Sequence, residues 1–303
     1  MSINQKDKPQ RKPEWLKKKL PSKGSMDSMQ NMVKHLRLHT VCEEAHCPNV
    51  GECFGNKTAT FMILGETCTR GCRFCAVGKG QALPPDPQEP QHLAEAVKEL
   101  GLKHAVITSV TRDDLPDGGA SHFARTIEAV RQLNPDTTIE VLIPDFQGDE
   151  EALKTVLKAK PEILNHNIET VPSLYSKVRP GADFERSLLL LKRVKEHGSE
   201  ILSKTGIMVG LGETPPEITQ VMKLLVDIKC DIFTIGQYLQ PSAEHLPVED
   251  FVTPEQFEAY RQEGLSMGLA FVESGPFIRS SYNAARALDA VRGKGRRLTD
   301  DEQ

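Results

Sequence analysis

The sequence has no long hydrophobic run, few aromatic residues and no strong excess of either charge. No apolar stretch in its 303 residues reaches the length of a membrane span, so we expect no membrane association. The formal net charge of -4 argues against general nucleic-acid binding. The first residues, MSINQKDKPQRKPEW, are polar, which is unlike a secretory signal or an organelle transit peptide. These absences predict a cytoplasmic protein.

A fourth cysteine is missing from each of two cysteine clusters. Six of the seven cysteines lie in these clusters, as Cys42-x4-Cys47-x5-Cys53 and Cys68-x3-Cys72-x2-Cys75. Three thiolates occupy three irons of a [4Fe–4S] cube and leave the fourth iron free to bind another molecule. Each cluster therefore predicts a metal centre that is not merely an electron carrier.

Disulfides and structural zinc are the alternatives for these cysteines. Clustered cysteines in a chain without a secretory signal more often bind metal than form disulfides. Zinc normally takes four protein ligands, often in paired C-x2-C knuckles. Only Cys72-x2-Cys75 has that spacing, although His46 beside Cys47 offers a fourth ligand to the first cluster, so zinc stays open. Cys230 lies alone in an apolar run and is expected to be a buried core thiol.

An alternation of strands and helices follows residue 58. Seven apolar runs are typical of buried strands, and a helical pattern such as residues 91–101 separates each from the next. These predicted strands span residues 58–64, 104–110, 138–144, 162–169, 204–210, 231–236 and 269–274. The alternation predicts an α/β fold with a parallel sheet closed or partly closed into a TIM-like barrel. An open doubly wound sheet is the alternative, but no Gly-x-Gly-x-x-Gly follows the first strand.

The barrel prediction brings the second cysteine cluster together with several polar loops. In such barrels the loops after the strands line the active face. The segments that follow strands are the cysteine loop itself, residues 111–120, 144–149, 169–170, 210–216 and 237–242. Each of these alone is an ordinary turn. Their joint position predicts a functional site on one rim.

The second cluster and its neighbours resemble a known family. Cys68-x3-Cys72-Arg73-Phe74-Cys75 resembles the signature of the radical S-adenosylmethionine superfamily. The upstream motif Cys42-x4-Cys47-x5-Cys53 and the segment Arg279-Ser280-Ser281-Tyr282 resemble the lipoyl synthase family within it. The stretches TRDDLPDGGA, HNIETVPSLY, VRPGADFERSL and GPFIRSSYNA extend the resemblance over residues 12–286.

This resemblance implies a partial barrel of the radical S-adenosylmethionine type with two extensions. The N-terminal extension, 1–57, would carry the first cysteine cluster, the barrel would span 58–273, and the C-terminal extension, 274–303, would carry the serine motif. It implies that two sulfur atoms are inserted at C6 and C8 of a protein-bound octanoyl chain. Cys68, Cys72 and Cys75 would hold a catalytic [4Fe–4S] cluster that binds S-adenosylmethionine.

The resemblance also implies a second [4Fe–4S] cluster that donates the sulfur. Its ligands would be Cys42, Cys47, Cys53 and Ser281. A serine oxygen is a poorer partner for iron than a thiolate, which suits a cluster that must come apart. Without the resemblance, Ser281 is better explained as a cap of a helix that starts near Asn283.

Contacts to S-adenosylmethionine rest on a looser match. The resemblance places Phe74 near the adenine, and Gly206-x3-Gly210-x2-Glu213 resembles the glycine-rich strand that borders it; a buried strand with a turn is the alternative. Glu169 is a candidate ligand for the ribose or the methionine end. Arg179 is a candidate partner for the methionine carboxylate, since arginine pairs with carboxylates through two hydrogen bonds.

The partners implied by the family are proteins. They are an octanoylated lipoyl carrier domain or glycine-cleavage H protein, a reducing donor such as flavodoxin or ferredoxin, and a cluster-repair protein. Two other classes stay open: another two-cluster radical enzyme that inserts sulfur, and a non-catalytic iron–sulfur or zinc protein. Electron carriers usually bind each cube through four cysteines, which favours the enzyme.

Overall fold

The main sheet of the protein has eight strands, seven of them parallel. The computed structural model describes residues 11–17, 35–36, 38–41, 47, 49–50, 53, 60–282 and 284–300, with 292 and 294–300 described by their backbone alone. The strands are β1 (His39–Thr40), β2 (Thr60–Ile63), β3 (Thr67–Cys68), β4 (Gly78–Lys79), β5 (His104–Ser109), β6 (Thr138–Leu142), β7 (Ile163–Asn165), β8 (Leu202–Val209), β9 (Ile232–Gln237) and β10 (Phe271–Gly275).

The order of the main sheet is β1-β2-β5-β6-β7-β8-β9-β10, and β3 pairs with β4 in a separate small sheet. Every pair from β2 to β10 is parallel, whereas β1 is antiparallel to β2. In the described ranges β10 does not pair with β2, so the barrel is partial, as predicted. The seven predicted strands are confirmed, with shifted ends; β1, β3 and β4 were not predicted.

Eight α-helices are described. They are α1 (Glu89–Leu100), α2 (Ala120–Leu133), α3 (Glu150–Lys158), α4 (Tyr175–Val178), α5 (Phe184–His197), α6 (Pro215–Asp227), α7 (Pro254–Ser266) and α8 (Ala284–Asp300). Polar side chains begin several of them: Asp149 accepts from the first turn of α3 and Asp183 from that of α5. None of the described helices has the length and apolar character required to cross a bilayer.

The core lies between the sheet and the helices that follow its strands. One apolar cluster joins β2, β5 and β6 to α1, α2 and α3, and a second joins β8 and β9 to α5, α6 and α7. All six positions of β9 are buried, as expected for a parallel strand covered on both faces. Ala287 and Leu288 of α8 pack against Ile163 and Ile232, the first residues of β7 and β9. Helix α8 therefore covers the amino ends of the strands and leaves the carboxyl ends to the loops.

Candidate active site

The second cysteine cluster lies in the loop that follows β2. Leu64 and Gly65 have φ angles of 68° and 91°, so the chain turns sharply as it leaves the strand. Cys68 ends β3, and Cys72 and Cys75 lie between β3 and β4. All three are half-buried free thiols. The structure therefore presents them at the carboxyl edge of the parallel sheet.

Hydrogen bonds from two other loops fix the backbone of the cysteine motif. The Arg73 amide donates to the Val178 carbonyl at 2.9 Å, and the Arg73 carbonyl accepts from the Leu246 amide at 3.2 Å. His245 Nε2 lies 3.0 Å from the carbonyl oxygen of Cys75. The loops after β7 and β9 therefore hold the motif from two sides.

Burial raises the pKa of two of the three thiols. It raises the pKa of Cys75 to about 11. It also raises the pKa of Cys72, against the opposing charge of Arg179. A low-dielectric site disfavours a bare thiolate unless a cation stabilises it. A metal bound to these two thiols would supply such a cation.

Arg179 follows α4, and its buried guanidinium faces the loop after β7. Its Nη1 donates to the carbonyls of Asn167 at 2.9 Å and Ile168 at 3.3 Å, and to the Tyr175 hydroxyl at 3.0 Å. Its Nε is buried without a partner. Glu169 lies beside it, with a φ angle of 66°, and burial raises its pKa against the charges of Arg179 and other neighbours.

Four buried polar atoms near the carboxyl ends of the strands have no hydrogen-bond partner. They are Ser109 Oγ, Asn167 Oδ1, Thr170 Oγ1 and Arg179 Nε. Buried polar atoms in folded proteins are normally paired, so such a group calls for a bound molecule or water. The set contains a cation, an amide oxygen and two hydroxyls. Each of these atoms can pair with a carboxylate, amino or hydroxyl group of a bound molecule.

The two glycines singled out on β8 allow close approach of neighbouring residues. A side chain on Gly206 would collide with the Thr234 hydroxyl and press on Asn167 Oδ1 at 3.3 Å. Gly210 has a φ angle of 95° and ends the strand in a turn. Glu213 closes that turn, since its carboxylate accepts from the amides of Gly210 at 2.5 Å and Leu211 at 2.9 Å. Both oxygens of the Glu213 carboxylate therefore already accept hydrogen bonds from backbone amides.

The C-terminal segment after β10 reaches the same region. Asn167 Nδ2 donates to Glu169 Oε1 at 3.2 Å and lies 3.3 Å from Ser280 Oγ. Arg279 is near Cys47 and Glu169, and burial lowers its pKa against the charge of those two groups. The segment that carries Ser280 and Ser281 therefore lies beside Glu169.

The first cysteine cluster is described only in part. Cys47 and Cys53 are half-buried, and Cys42 and His46 lie outside the described residues. The Asn49 side chain donates from Nδ2 to the Phe277 carbonyl at 2.8 Å, which ties this part of the chain to the C-terminal segment. Thus Cys47 and the serine motif approach each other although they are far apart in the sequence.

The donor set of the second cluster fits iron–sulfur chemistry better than a single ion. Within the described ranges, no three His, Cys, Asp or Glu side chains converge as ligands of one metal ion. A cube takes each thiolate on a different iron, so its ligands need not meet at one point. Three thiols are soft ligands, and such a set favours an iron–sulfur centre.

Several site residues were missed in the sequence. Ser109 and Asn167 are polar residues at or just after strand ends, and their buried atoms without partners leave no mark in the sequence. Thr170 lies in the predicted loop segment 169–170, but its role was not predicted. His245 gave no signal of its own, because its contact with Cys75 joins residues 170 positions apart. Phe74 is partly buried and packs against the apolar cluster of Val178, Leu211, Tyr238 and Leu246.

Comparison with known proteins agrees with this arrangement. The model of the radical SAM superfamily matches residues 62–225, more than half of the chain. A second model, the N-terminal domain of lipoyl synthase of the radical SAM family, matches residues 2–47. The fold and the cysteine loop together are those of a radical S-adenosylmethionine enzyme.

Close relatives narrow the assignment. The chain is 58% identical over 283 residues to a lipoyl synthase of Caldanaerobacter subterraneus subsp. tengcongensis, covering 93% of this chain and 99% of the relative. It is 55% identical to the lipoyl synthase of Alkaliphilus metalliredigens, covering 92% and 96%. The chain belongs to the lipoyl synthase family. Membership of the radical SAM superfamily implies a [4Fe–4S] cluster and S-adenosylmethionine as cofactors.

Solved structures share the fold at low sequence identity. SuiB of Streptococcus suis bound to S-adenosylmethionine has a TM-score of 0.57 at 13% identity, covering 75% of this chain and 54% of that one. Methylornithine synthase PylB has a TM-score of 0.51 at 15% identity, covering 86% and 81%. These matches concern the fold alone.

Proposed function

We propose that the protein inserts sulfur at C6 and C8 of an octanoyl chain amide-linked to a lysine of a lipoyl carrier domain or glycine-cleavage H protein. The observation that carries this proposal is the hydrogen-bonded link from Glu169 through Asn167 to Ser280. This link joins the carboxyl edge of the sheet, where the cysteine loop after β2 lies, to the segment that carries Ser281. A radical enzyme that inserts sulfur needs these two regions close together.

The chemistry requires a carbon radical because the C–H bonds at C6 and C8 are unactivated. When bound, the cluster and S-adenosylmethionine supply a 5′-deoxyadenosyl radical that removes hydrogen from carbon. Cys68, Cys72 and Cys75 would hold this cluster. Phe74 of this loop packs against the buried apolar cluster of Val178, Leu211, Tyr238 and Leu246.

Six residues would bind S-adenosylmethionine. Arg179 Nε would meet its carboxylate, since that atom is buried and unpartnered. Glu169 would hydrogen-bond the ribose or the methionine amino group. Phe74, Gly206 and Gly210 would border the adenine, and Glu213 would act by closing the Gly210 turn.

A second [4Fe–4S] cluster would be held by Cys42, Cys47, Cys53 and Ser281 and would supply the sulfur atoms. The position of Cys47 near Arg279 supports this ligand set. A serine oxygen binds iron more weakly than a thiolate and can leave as the cluster is consumed. Arg279 would balance the negative charge of the bound cluster.

The proposed partners follow from this reaction. An octanoylated carrier protein supplies the substrate, flavodoxin or ferredoxin supplies electrons, and a repair protein rebuilds the consumed cluster. We place the reaction in the cytoplasm. We also propose the division into an N-terminal extension, 1–57, a barrel, 58–273, and a C-terminal extension, 274–303.

The test is mass spectrometry of an octanoylated carrier domain after anaerobic incubation with the protein, S-adenosylmethionine and dithionite. We expect a product that has gained two sulfurs as thiols, and that loses two hydrogens only when these thiols are afterwards oxidised in air to the cyclic disulfide. Cys72→Ala should abolish it, whereas Cys230→Ala, at a buried core thiol, should retain it. Consumption of S-adenosylmethionine without any sulfur in the carrier would contradict the proposed function.

A further inference from the structure

Arg70 lies inside the cysteine loop, between Cys68 and Cys72, with its side chain only 7% exposed. Its backbone amide lies 3.4 Å from Cys68 Sγ. The methylene groups of its side chain run past Gly181, where an added Cβ would lie 3.8 Å away. The guanidinium thus leaves the cysteine loop and passes under the loop before α5.

The guanidinium binds the loops after two different strands. It forms a bidentate pair with Asp113 after β5, with Nε–Oδ2 at 2.7 Å and Nη2–Oδ1 at 2.9 Å. Its Nη2 also lies 2.5 Å from Oδ1 of Asp145 after β6. The Arg70 side chain therefore binds the loops after β5 and β6 at the same time.

Both carboxylates are themselves fixed. The Asp113 amide donates to Thr69 Oγ1 at 3.1 Å, which ties it to the cysteine loop a second time. The Asp145 side chain is fully buried and accepts from the Gln147 amide at 3.0 Å. Burial would raise the pKa of Asp145, but the Arg70 guanidinium outweighs it and holds this pKa at about 2. The pair is therefore charged throughout the physiological range.

Only arginine has the geometry for this arrangement. The planar fork offers two parallel donors to Asp113 and a remaining donor to Asp145, whereas a lysine ammonium is a point charge on a flexible stem. Burying a cation here is costly unless both carboxylates stay in place. The Arg70 guanidinium and the two carboxylates thus hold the cysteine loop in one position relative to the loops after β5 and β6.

We propose that Arg70 is a positioning residue that sets the placement of Cys68 and Cys72 by clamping the cysteine loop to the loops after β5 and β6. It acts through the thiols and does not touch the substrate. The proposal rests on the proposed function in that these thiols are taken to hold the catalytic cluster.

The first test uses protein in which Cys42, Cys47 and Cys53 are changed to alanine, so that only one cluster reports. Arg70→Lys should still load about four irons. We expect its reduced electron paramagnetic resonance spectrum to change on adding S-adenosylmethionine differently from the parent. Formation of 5′-deoxyadenosine should fall about 10- to 100-fold, as for other residues that orient metal ligands.

The control is Arg261→Lys, because Arg261 forms a matched bidentate pair with Glu258 on the exposed face of α7. It should leave the iron content, spectrum and rate unchanged. An Arg70→Lys variant with the parent's spectrum and rate would overturn the proposal.

The second test needs no cluster and is therefore independent of the proposed function. Hydrogen exchange of the metal-free protein is compared between wild type and Arg70→Gln. We expect faster exchange confined to residues 66–75 and the loops that hold Asp113 and Asp145. Unchanged protection of the loop, or loss of protection throughout the barrel, would overturn the positioning role.

Discussion

At the scale of single residues, the barrel interior contains a charged pair far from the cysteine loop. Lys204 Nζ lies 2.9 Å and 3.0 Å from the two oxygens of Glu140, and both side chains are almost completely buried. Asn165 Nδ2 lies 3.4 Å from Glu140 Oε1, and His104 Nε2 is 3.6 Å from Oε2. Burial would raise the pKa of Glu140, but Lys204 and His104 outweigh it and lower this pKa below its usual value. The barrel interior therefore depends on these partners staying in place.

Removing one member of this pair should destabilise the protein strongly. Lys204→Met leaves the Glu140 carboxylate buried without its main partner, which costs about 3–5 kcal/mol. The double variant Glu140→Leu/Lys204→Met should recover most of that loss. Denaturant unfolding of the metal-free protein measures both. A single variant as stable as wild type would mean that the buried pair contributes little.

His166 gives the protein a titrating group beneath the site. Burial and the charge of Arg179 lower its pKa from 6.5 to about 4. Its Nδ1 lies 2.9 Å from the Ile143 carbonyl, so the neutral ring donates there. Between pH 6.5 and 4, His166 is therefore protonated in the unfolded chain and neutral in the folded chain.

The free energy of unfolding should fall as the pH drops from about 6.5 to 4, by up to about 3 kcal/mol from this group. Its contribution is complete above pH 6.5 and lost at pH 4. His166→Gln should flatten this part of the profile. Denaturant unfolding of the metal-free protein across this range is the measurement, and equal slopes in both proteins would contradict the assignment.

At the scale of elements, the C-terminal segment crosses from one end of the sheet to the other. It leaves β10 at Gly275, on the carboxyl edge, and enters α8, which covers the amino ends of the strands. On the way, the Ile278 carbonyl lies so close to Gly236 of β9 that an added Cβ would overlap it. The position of the serine motif thus depends on a glycine in a strand.

Gly236→Ala should displace this segment, because the obstacle is a backbone carbonyl that cannot rotate away. Gly275→Ala is the matched control. Gly275 pairs with Gly236 across the two strands, but its added Cβ would meet only a side-chain carbon of Ile278 at 3.3 Å. We expect Gly236→Ala to lose about half of the bound iron and Gly275→Ala to keep it. The measurement is the iron content of the two variants after anaerobic preparation. Equal iron in both would contradict this role of Gly236.

Sequence patterns predicted the parallel strands because each is a run of apolar residues between helical patterns. The two-residue strand His39–Thr40 has no such pattern, and neither has the small β3–β4 sheet. The fourth predicted strand, 162–169, ends at Asn165 instead, and Glu169 returns to the sheet only through a single bridge to Ile207. Arg179 draws the intervening carbonyls away from β-pairing, which no local signal reveals.

The site was predictable to the extent that it is local. The spacing of Cys68, Cys72 and Cys75 is enough to predict their role. Arg70 and Asn167 could not be predicted in this way, because their contacts are with residues of other loops. Asn167 joins Ser280 across 113 positions of sequence. Such contacts follow from strand order, and strand order is a property of the whole fold.

At the scale of the whole molecule, the described residues around the first cysteine motif are connected to the site through the C-terminal segment. The Asn49 side chain is joined to this segment by its hydrogen bond to Phe277, and the segment is joined to Glu169 by Asn167. The proposed function needs two separate clusters, one for radical generation and one for sulfur.

The most direct measurement is iron and acid-labile sulfide in anaerobically prepared protein. Wild type should contain about eight irons, and the variants Cys68→Ala/Cys72→Ala/Cys75→Ala and Cys42→Ala/Cys47→Ala/Cys53→Ala about four each. Bound zinc in place of iron, or a single cluster that either triple variant abolishes completely, would contradict the two-cluster account.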